Sequence, residues 1–408
     1  MQSQLSVEVQ YSGRTYFTLQ PVSLSEASGS IRSPFLQFPL PRLLTTTRVI
    51  LVRHGQSTFN QQGRFQGSSD AAVLTPHGQE TARQAGALLH AWPIDAVYCS
   101  PLRRVTETLA AMQTHMNGLP PIVVDLLLRE IHLPGWEGLP FRQVREQFRD
   151  EYDCWQQRPH EFCLPLPTAQ KGNYFPVQEL YERAQQFWHK LLKQHPGQTV
   201  LVVSHGGTNH ALISTALGLA VKQHHRLQQS NGGVSVLDFL AGRPDAAQLR
   251  ALNITSYLGE TLPKLKAGKQ GLRLLLVAAN AEAGAVQSLA EHLQTIPIDF
   301  SLTSLGVANQ TMTAQLLRYH PTTVQLQVMR QDFPQAWERA IGSRSPAADT
   351  LITGLVVATD QEIKQILGRA IGLEPGASGY LQLYPGTLSV LHYPALNHPP
   401  VLQALNFA

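Results

Sequence analysis

The sequence predicts an α/β fold: a mostly parallel, doubly wound sheet with helices on both faces, laid down twice along the chain. Three observations predict it. Short runs of β-branched and aliphatic residues, such as Val49 to Val52 and Val200 to Val203, alternate with longer amphipathic stretches such as 79–90 and 180–194. That is the pattern of strands buried on both faces and separated by helices. Polar residues collect just after the apolar runs, where an open parallel sheet binds its ligands. The apolar frame of the first half also recurs in the second: Leu201 to Leu219 lies without a gap over Leu355 to Leu373, Val49 to His54 over Leu274 to Ala279, and Gly233 to Leu237 echoes Gly386 to Leu391.

The bulk properties agree with two domains. A chain of 408 residues exceeds what one hydrophobic core usually organises. Hydrophobic residues at 43%, with 30 Gly and 27 Pro spread along the chain, exclude wholesale disorder and a collagen-like repeat. The net charge of +4 is a small surplus, and the densest basic stretch, Lys264 to Lys269, holds only three lysines; a solvated linker, not a nucleic-acid face, is expected there. Cys99, Cys154 and Cys163 form no disulfide framework, which suggests a reducing compartment. Cys154 and Cys163 flank His160 without the spacing of a zinc module. No apolar run reaches the length of a membrane span.

In order along the chain, residues 1–46 are rich in hydroxyls and poor in acids, and read as a flexible extension, with a transit peptide as the alternative. Residues 47–258 form the first domain. Its strand at 48–52 runs into Arg53-His54-Gly55, and the strand at 96–99 into Ser100-Pro101-Leu102-Arg103-Arg104. The strand at 122–124 precedes Leu128-Arg129-Glu130 and Gly135-Trp136-Glu137-Gly138, and the strand at 200–203 runs into Ser204-His205-Gly206-Gly207. Residues 259–270 read as a linker and 271–408 as a shortened second copy. There Arg53-His54 become Ala278-Ala279 and His205 becomes Thr359, so the second domain is expected to be degenerate and non-catalytic.

Two histidines, several arginines and one acid at successive strand exits suit phosphoryl transfer without a metal. The transition state spreads negative charge over three oxygens, which guanidinium forks such as Arg53 and Arg104 can clamp. Imidazole, with an unperturbed pKa of about 6.5, is a neutral nucleophile near pH 7; His54 fits that role. Glu130 can give a proton to the leaving oxygen, and His205 can donate to the phosphoryl oxygens. The paired glycines Gly206-Gly207 open a helix whose N–H groups can approach an anion.

These segments, in this order, resemble the histidine phosphatase superfamily, the phosphoglycerate-mutase-like proteins, over about 47–257. The resemblance implies His54 as the phosphorylated nucleophile, Arg53, Arg104 and His205 as the phosphate pocket, Glu130 as proton donor and Asn60 as a further pocket contact. Arg64, Gly67 and Gly206 are added as substrate-binding candidates, while Arg103 is expected at the surface or against substrate. Gln56 and Pro134 depart from the family pattern, the second bearing on where Glu130 sits. Arg129 to Leu133, Trp155 to Pro159, Tyr174 to Pro176 and the decayed second domain are similar to the two-domain 2-carboxy-D-arabinitol-1-phosphatase type of plants and cyanobacteria. The function so implied is hydrolysis of small phosphomonoesters, sugar phosphates or phosphoserine, with a phosphoglycerate mutase and a regulatory binding protein as alternatives.

No cofactor is implied. The expected partner is a small phosphorylated metabolite, not nucleic acid or a membrane, with a homo-oligomer left open. The expected location is cytoplasmic, or the chloroplast stroma if the extension is a transit peptide. Residues 139–177, rich in aromatics and prolines, are expected to roof the pocket. His210 is expected on a helix face, His115 and the pair His224-His225 toward solvent, and Trp92, Trp136 and Trp188 in packing roles.

Overall fold

The computed structural model describes residues 46–116, 118–165, 173–266, 268–329, 333–342, 350–394 and 398–407, with the short strands Gln10–Tyr11 and Arg14–Thr15. Those two strands pair antiparallel with each other; the rest of the expected extension, except Thr46, lies outside the described residues.

The first sheet is built from β1 (Thr47–Arg53), β2 (Ala96–Cys99), β3 (Ile122–Val124), β4 (Thr199–Ser204), β5 (Val234–Phe239) and β6 (Ala247–Ile254). Its order is β6-β5-β1-β4-β2-β3. The pairs β1·β4, β4·β2 and β2·β3 are parallel, whereas β5 joins β1 and β6 antiparallel. Helices α1 (Pro76–Leu89), α2 (Arg103–Gln113), α3 (Pro176–Gln194) and α4 (Gly206–Ala216) connect the strands.

The run Val49 to Val52 is fully buried because both faces of β1 are covered. Ile50 and Val52 pack with Ala82 and Ala85 of α1 and Val105 and Leu109 of α2, while Val49 and Leu51 pack with Leu180 and Phe187 of α3 and Leu212 of α4. Each such aliphatic side chain contributes about 1.5–3 kcal/mol on burial. The strand at 122–124 behaves differently: as the sheet edge, it leaves Val124 57% exposed. Trp92, Trp136 and Trp188 are buried, and His115 is exposed.

The second sheet repeats the plan. Its strands are β7 (Gly271–Ala278), β8 (Phe300–Ser304), β9 (Val324–Val328), β10 (Leu351–Ala358), β11 (Ser389–Tyr393) and β12 (Val401–Ala404), in the order β12-β11-β7-β10-β8-β9. That is the first order with each strand replaced by its counterpart, so the repeated apolar frame builds the same sheet twice. Helices α5 (Ala283–Leu293) and α6 (Val307–Leu316) cover one face with Leu275 and Val277 of β7. On the other face, Leu274 and Leu276 belong to an apolar cluster that runs without interruption into the first domain, through Leu402 and Leu405 to Leu227, Leu249 and Leu252. Backbone bridges Leu227↔Leu402, Leu249↔Leu381 and Leu252↔Leu405 follow the same seam.

The segment 139–177 contributes the helices Phe141–Gln147 and Arg149–Gln157 and a hairpin of Leu164–Pro165 with Asn173–Tyr174. Trp136, wholly buried, is ringed by Phe65, Phe148, Tyr152, Trp155 and Phe162. One expectation is corrected here. His224 does not face solvent: it is 1% exposed, against Trp155, Tyr181 and His210. His225 is half-buried and donates from Nε2 to the Trp155 carbonyl at 2.7 Å. The helix Arg149–Gln157 carries Trp155 over the turn that holds both histidines, a tertiary contact with no local trace.

Candidate active site

The sheet order places β1, β4 and β2 side by side, so the residues after each of them meet at one end of the sheet. His54 leaves β1 with its backbone N–H on the Ser204 carbonyl (2.9 Å), and its ring stands edge-on to His205 with centroids 5.3 Å apart. His54 Nδ1 lies 2.7 Å from the Gly55 carbonyl. A carbonyl only accepts, so Nδ1 carries the proton and Nε2 keeps its lone pair. Burial holds the His54 imidazole well below its ordinary pKa, and the guanidinium groups of Arg104 and Arg53 push in the same direction. It is therefore neutral near pH 7.

Arg104 is completely buried and donates from Nη1 to the Ser69 carbonyl (2.8 Å) and from Nη2 to the Gly67 carbonyl (2.9 Å). Burial lowers its pKa to about 10, against a favourable pull from Glu130; it stays charged. Arg53 donates from Nη1 to the Gln229 carbonyl at 2.8 Å. The Nε of each arginine is buried with no protein partner. His205, fully buried, pairs through Nε2 with the Ser100 hydroxyl at 2.7 Å, leaving Nδ1 unpartnered. Its imidazole is likewise held well below the ordinary range, first by burial and then by Arg104, His54 and Arg53.

Glu130 explains the paired glycines in an unexpected way. The N–H groups of Gly207 and Thr208 donate to its carboxylate at 3.0 and 3.1 Å, and that of Ile131 at 2.9 Å. The positive end of α4, expected to meet a ligand anion, is thus taken by an internal one. A Cβ on Gly207 would fall 2.6 Å from Glu130 Oε1, so only glycine lets the acid approach this closely. Gly206 plays the matching part toward Arg53, whose guanidinium carbon would lie 3.3 Å from such a Cβ.

The remaining sequence candidates serve the framework. Asn60 closes a capping box with Ser57, and its Oδ1 accepts from the Ser57 N–H (3.2 Å) and from Asn231 Nδ2 (3.0 Å). Arg64 donates to the Gly138 carbonyl at 2.7 Å. Gly67 has φ +52°, and a side chain there would overlap the Glu137 carboxylate. Arg103 is exposed and pairs with Glu107 at 2.7 Å. In the second copy the corresponding exits hold Ala278, Ala279 and Thr359. Thr359 caps α7 (Asp360–Ile371), and Glu362 bonds both Thr359 and Ser304. Among the described residues, no group of three or more His, Cys, Asp or Glu side chains could hold a metal ion.

Sequence reasoning missed several contributors. A cavity of about 290 Å³ opens beside Glu130, lined by Ser68, Arg129, His132, Tyr174, Glu179 and Arg183. Arg183 of α3 pairs with Glu179 and donates to the carbonyls of Leu127, Arg129 and Glu130, clamping the loop that carries the acid. Asn231 reaches the carbonyls of His54 and Gly55. Tyr174 comes from the aromatic insertion and Arg129 and His132 from the stretch 129–133, the sequence signals that pointed to this wall.

The family model for the histidine phosphatase superfamily (branch 1) matches residues 49–253. The chain belongs to that superfamily. All five side chains at the strand exits, Arg53, His54, Arg104, Glu130 and His205, fall inside the matched segment. A 2-carboxy-D-arabinitol-1-phosphatase of Triticum aestivum is 37% identical over 283 residues, covering 68% of this chain and 54% of the relative. A putative phosphoserine phosphatase 2 of Hydrogenobacter thermophilus is 31% identical over 211 residues, 52% of this chain and 98% of the relative. The chain spans about half the length of the plant relatives it matches. Among solved structures, Bacillus stearothermophilus YhfR is 26% identical with a TM-score of 0.46, covering 52% of this chain and 99% of that one.

Proposed function

We propose that the chain is a phosphoric monoester hydrolase that forms a phosphohistidine on His54 and works without a metal, on a small phosphorylated metabolite such as a sugar phosphate or phosphoserine. The observation that carries this reading is the state of His54. Its Nδ1 proton is committed to the Gly55 carbonyl, so the Nε2 lone pair is available, and burial first, then the Arg104 and Arg53 guanidinium groups, keep the ring neutral. Nε2 attacks phosphorus, a P–N bond forms, and the bond to the leaving oxygen breaks. Arg53, Arg104 and His205 hold the three phosphoryl oxygens. Glu130, an anion in the free site, takes up a proton as the phosphate dianion binds beside it, gives that proton to the leaving oxygen, then takes one back from the water that cleaves the P–N bond. Relatives named as a 2-carboxy-D-arabinitol-1-phosphatase and as phosphoserine phosphatases support the substrate class.

The test is rapid acid–base quenching with a ³²P-labelled monoester in the presence of a chelator. The expected result is phosphate release with an acid-labile, base-stable label on the protein, and loss of both label and turnover in His54→Ala. Turnover at near-parental rate in His54→Ala, or a label that survives acid, overturns the reading.

A further inference from the structure

Lys266 lies beyond the segment matched by the family, in the linker between the two sheets. The residue is exposed as a whole, yet its amine is buried where it donates to the Gln229 carbonyl at 2.6 Å. The same oxygen accepts from Arg53 Nη1 at 2.8 Å. Two nitrogen donors therefore converge on one acceptor, and burial first, then the Arg53 guanidinium, push the Lys266 amine well below its ordinary pKa. The acid closest in the linker, Glu260, is already paired with Lys264 at 3.1 Å and accepts from the Thr255 hydroxyl.

The stretch 228–232 that supplies this carbonyl is gripped from two sides. On one side, the Gln228 N–H donates to the Leu402 carbonyl (2.8 Å) and its side-chain amide to the Lys264 carbonyl (3.0 Å), while Gln403 of β12, wholly buried, donates to Gln228 Oε1 (3.1 Å). On the other side, Asn231 donates to the His54 carbonyl (3.1 Å) and Gly232 to the Arg53 carbonyl (3.1 Å). Linker and second domain thus hold the outer edge of a strip whose inner edge holds the catalytic arginine and histidine.

We propose that Lys266 is a positioning residue of the phosphate pocket, and that through the strip 228–232 the linker and the last strand of the second domain set the Arg53 guanidinium. This inference rests on the phosphatase reading for its meaning. The physical argument is that Arg53 disfavours a charge on Lys266 across their shared acceptor, and a phosphate dianion arriving at Arg53 removes that penalty, so the lysine ammonium and the bound phosphate favour each other. The His54 pKa is lowered first by burial, then by Arg104 and Arg53, and last by Lys266, so the lysine lies within electrostatic reach of the nucleophile.

The test uses the full chain with Lys266→Met and Lys266→Arg, measuring inorganic phosphate binding by calorimetry, kcat and KM for p-nitrophenyl phosphate, and the unfolding midpoint. A charge-assisted hydrogen bond lost without structural damage predicts about tenfold weaker phosphate binding and about tenfold higher KM in Lys266→Met, with recovery to within about threefold in Lys266→Arg. Lys266→Gln is the second variant should the methionine form fail to fold. Phosphate affinity within about twofold of the parent in a folded Met or Gln variant overturns the proposal, as does failure of arginine to rescue. A parent that binds phosphate but turns over no monoester overturns the hydrolase reading, while the binding comparison still decides the role of Lys266. A parent that does neither overturns both.

Discussion

Substituting Gly207 by alanine separates the position of Glu130 from its chemistry. The added Cβ would sit 2.6 Å from Glu130 Oε1, where ordinary contact begins at 3.4 Å, so the carboxylate has to retreat by the difference, about 0.8 Å. The retreat loosens the bonds from the Gly207 and Thr208 N–H groups, now 3.0 and 3.1 Å. Stability changes little: moving an anion off a helix N-terminus costs about 0.3–1 kcal/mol, and alanine in place of helical glycine returns about 0.5–1 kcal/mol. Catalysis is more sensitive, since a misplacement of about 1 Å can cost about 10²-fold and a general acid contributes about 10²–10⁴-fold. The expected outcome is a fall in kcat of about 30–100-fold on an alkyl ester such as glycerol phosphate, whose leaving oxygen needs a proton. On p-nitrophenyl phosphate, whose leaving group does not, the fall should stay under about fivefold. Steady-state kinetics on both esters, with a urea melt, measure this. Equal losses on the two esters, or none on either, would refute the assignment of Glu130 as the acid.

Arg104→Lys should destabilise the fold by about 2–4 kcal/mol, because one ammonium cannot reproduce the fork that serves both the Ser69 and Gly67 carbonyls and a buried acceptor is left unpaired; denaturant melts showing under about 0.5 kcal/mol would contradict that. Stability should also fall on acidification. Burial depresses the folded-state pKa of His54, His205 and His224, and holds His210 at about 3 and His225 at about 4. The unfolded chain then binds more protons below pH about 6.5. The stabilisation from these neutral rings is complete above that pH and is lost as the pH falls toward the folded values, by about 2 kcal/mol per buried ring at pH about 5. A urea midpoint unchanged between pH 7 and 5 would be inconsistent with it. For the same reason His54 should not titrate near its ordinary pKa of about 6.5; an NMR pH titration of the parent that finds the His54 ring protonating there would count against its burial.

What the sequence made legible follows from range. The strands at 49–52 and 200–203 are read from composition because burial on both faces leaves no polar position in them. Arg53, His54, Arg104 and His205 were visible because a polar residue at the end of such a strand breaks the pattern abruptly, and the structure brings them together. Glu130 was placed by motif alone; nothing local showed that its partner is the start of α4, 77 residues on. Asn231 and Arg183 act through backbone carbonyls far away in the chain, 177 residues in the case of Asn231 and His54, and a donor that serves a carbonyl leaves no complementary residue type to find. Asn60 was read as a pocket contact; that its Oδ1 also closes the cap of a five-residue helix went unread. His224 was read as exposed because the covering Trp155 comes from an insertion outside the repeated frame.

The apolar cluster that joins Leu227, Leu249 and Leu252 to Leu402 and Leu405 has a bearing on how such a duplicated chain can change. Once the copies share oily surface, neither can be discarded by a simple deletion, since the survivor would present bare leucines to water and clump. The shared surface therefore retains the second half whatever residues stand at its own strand exits, and selection has time to find new uses for it.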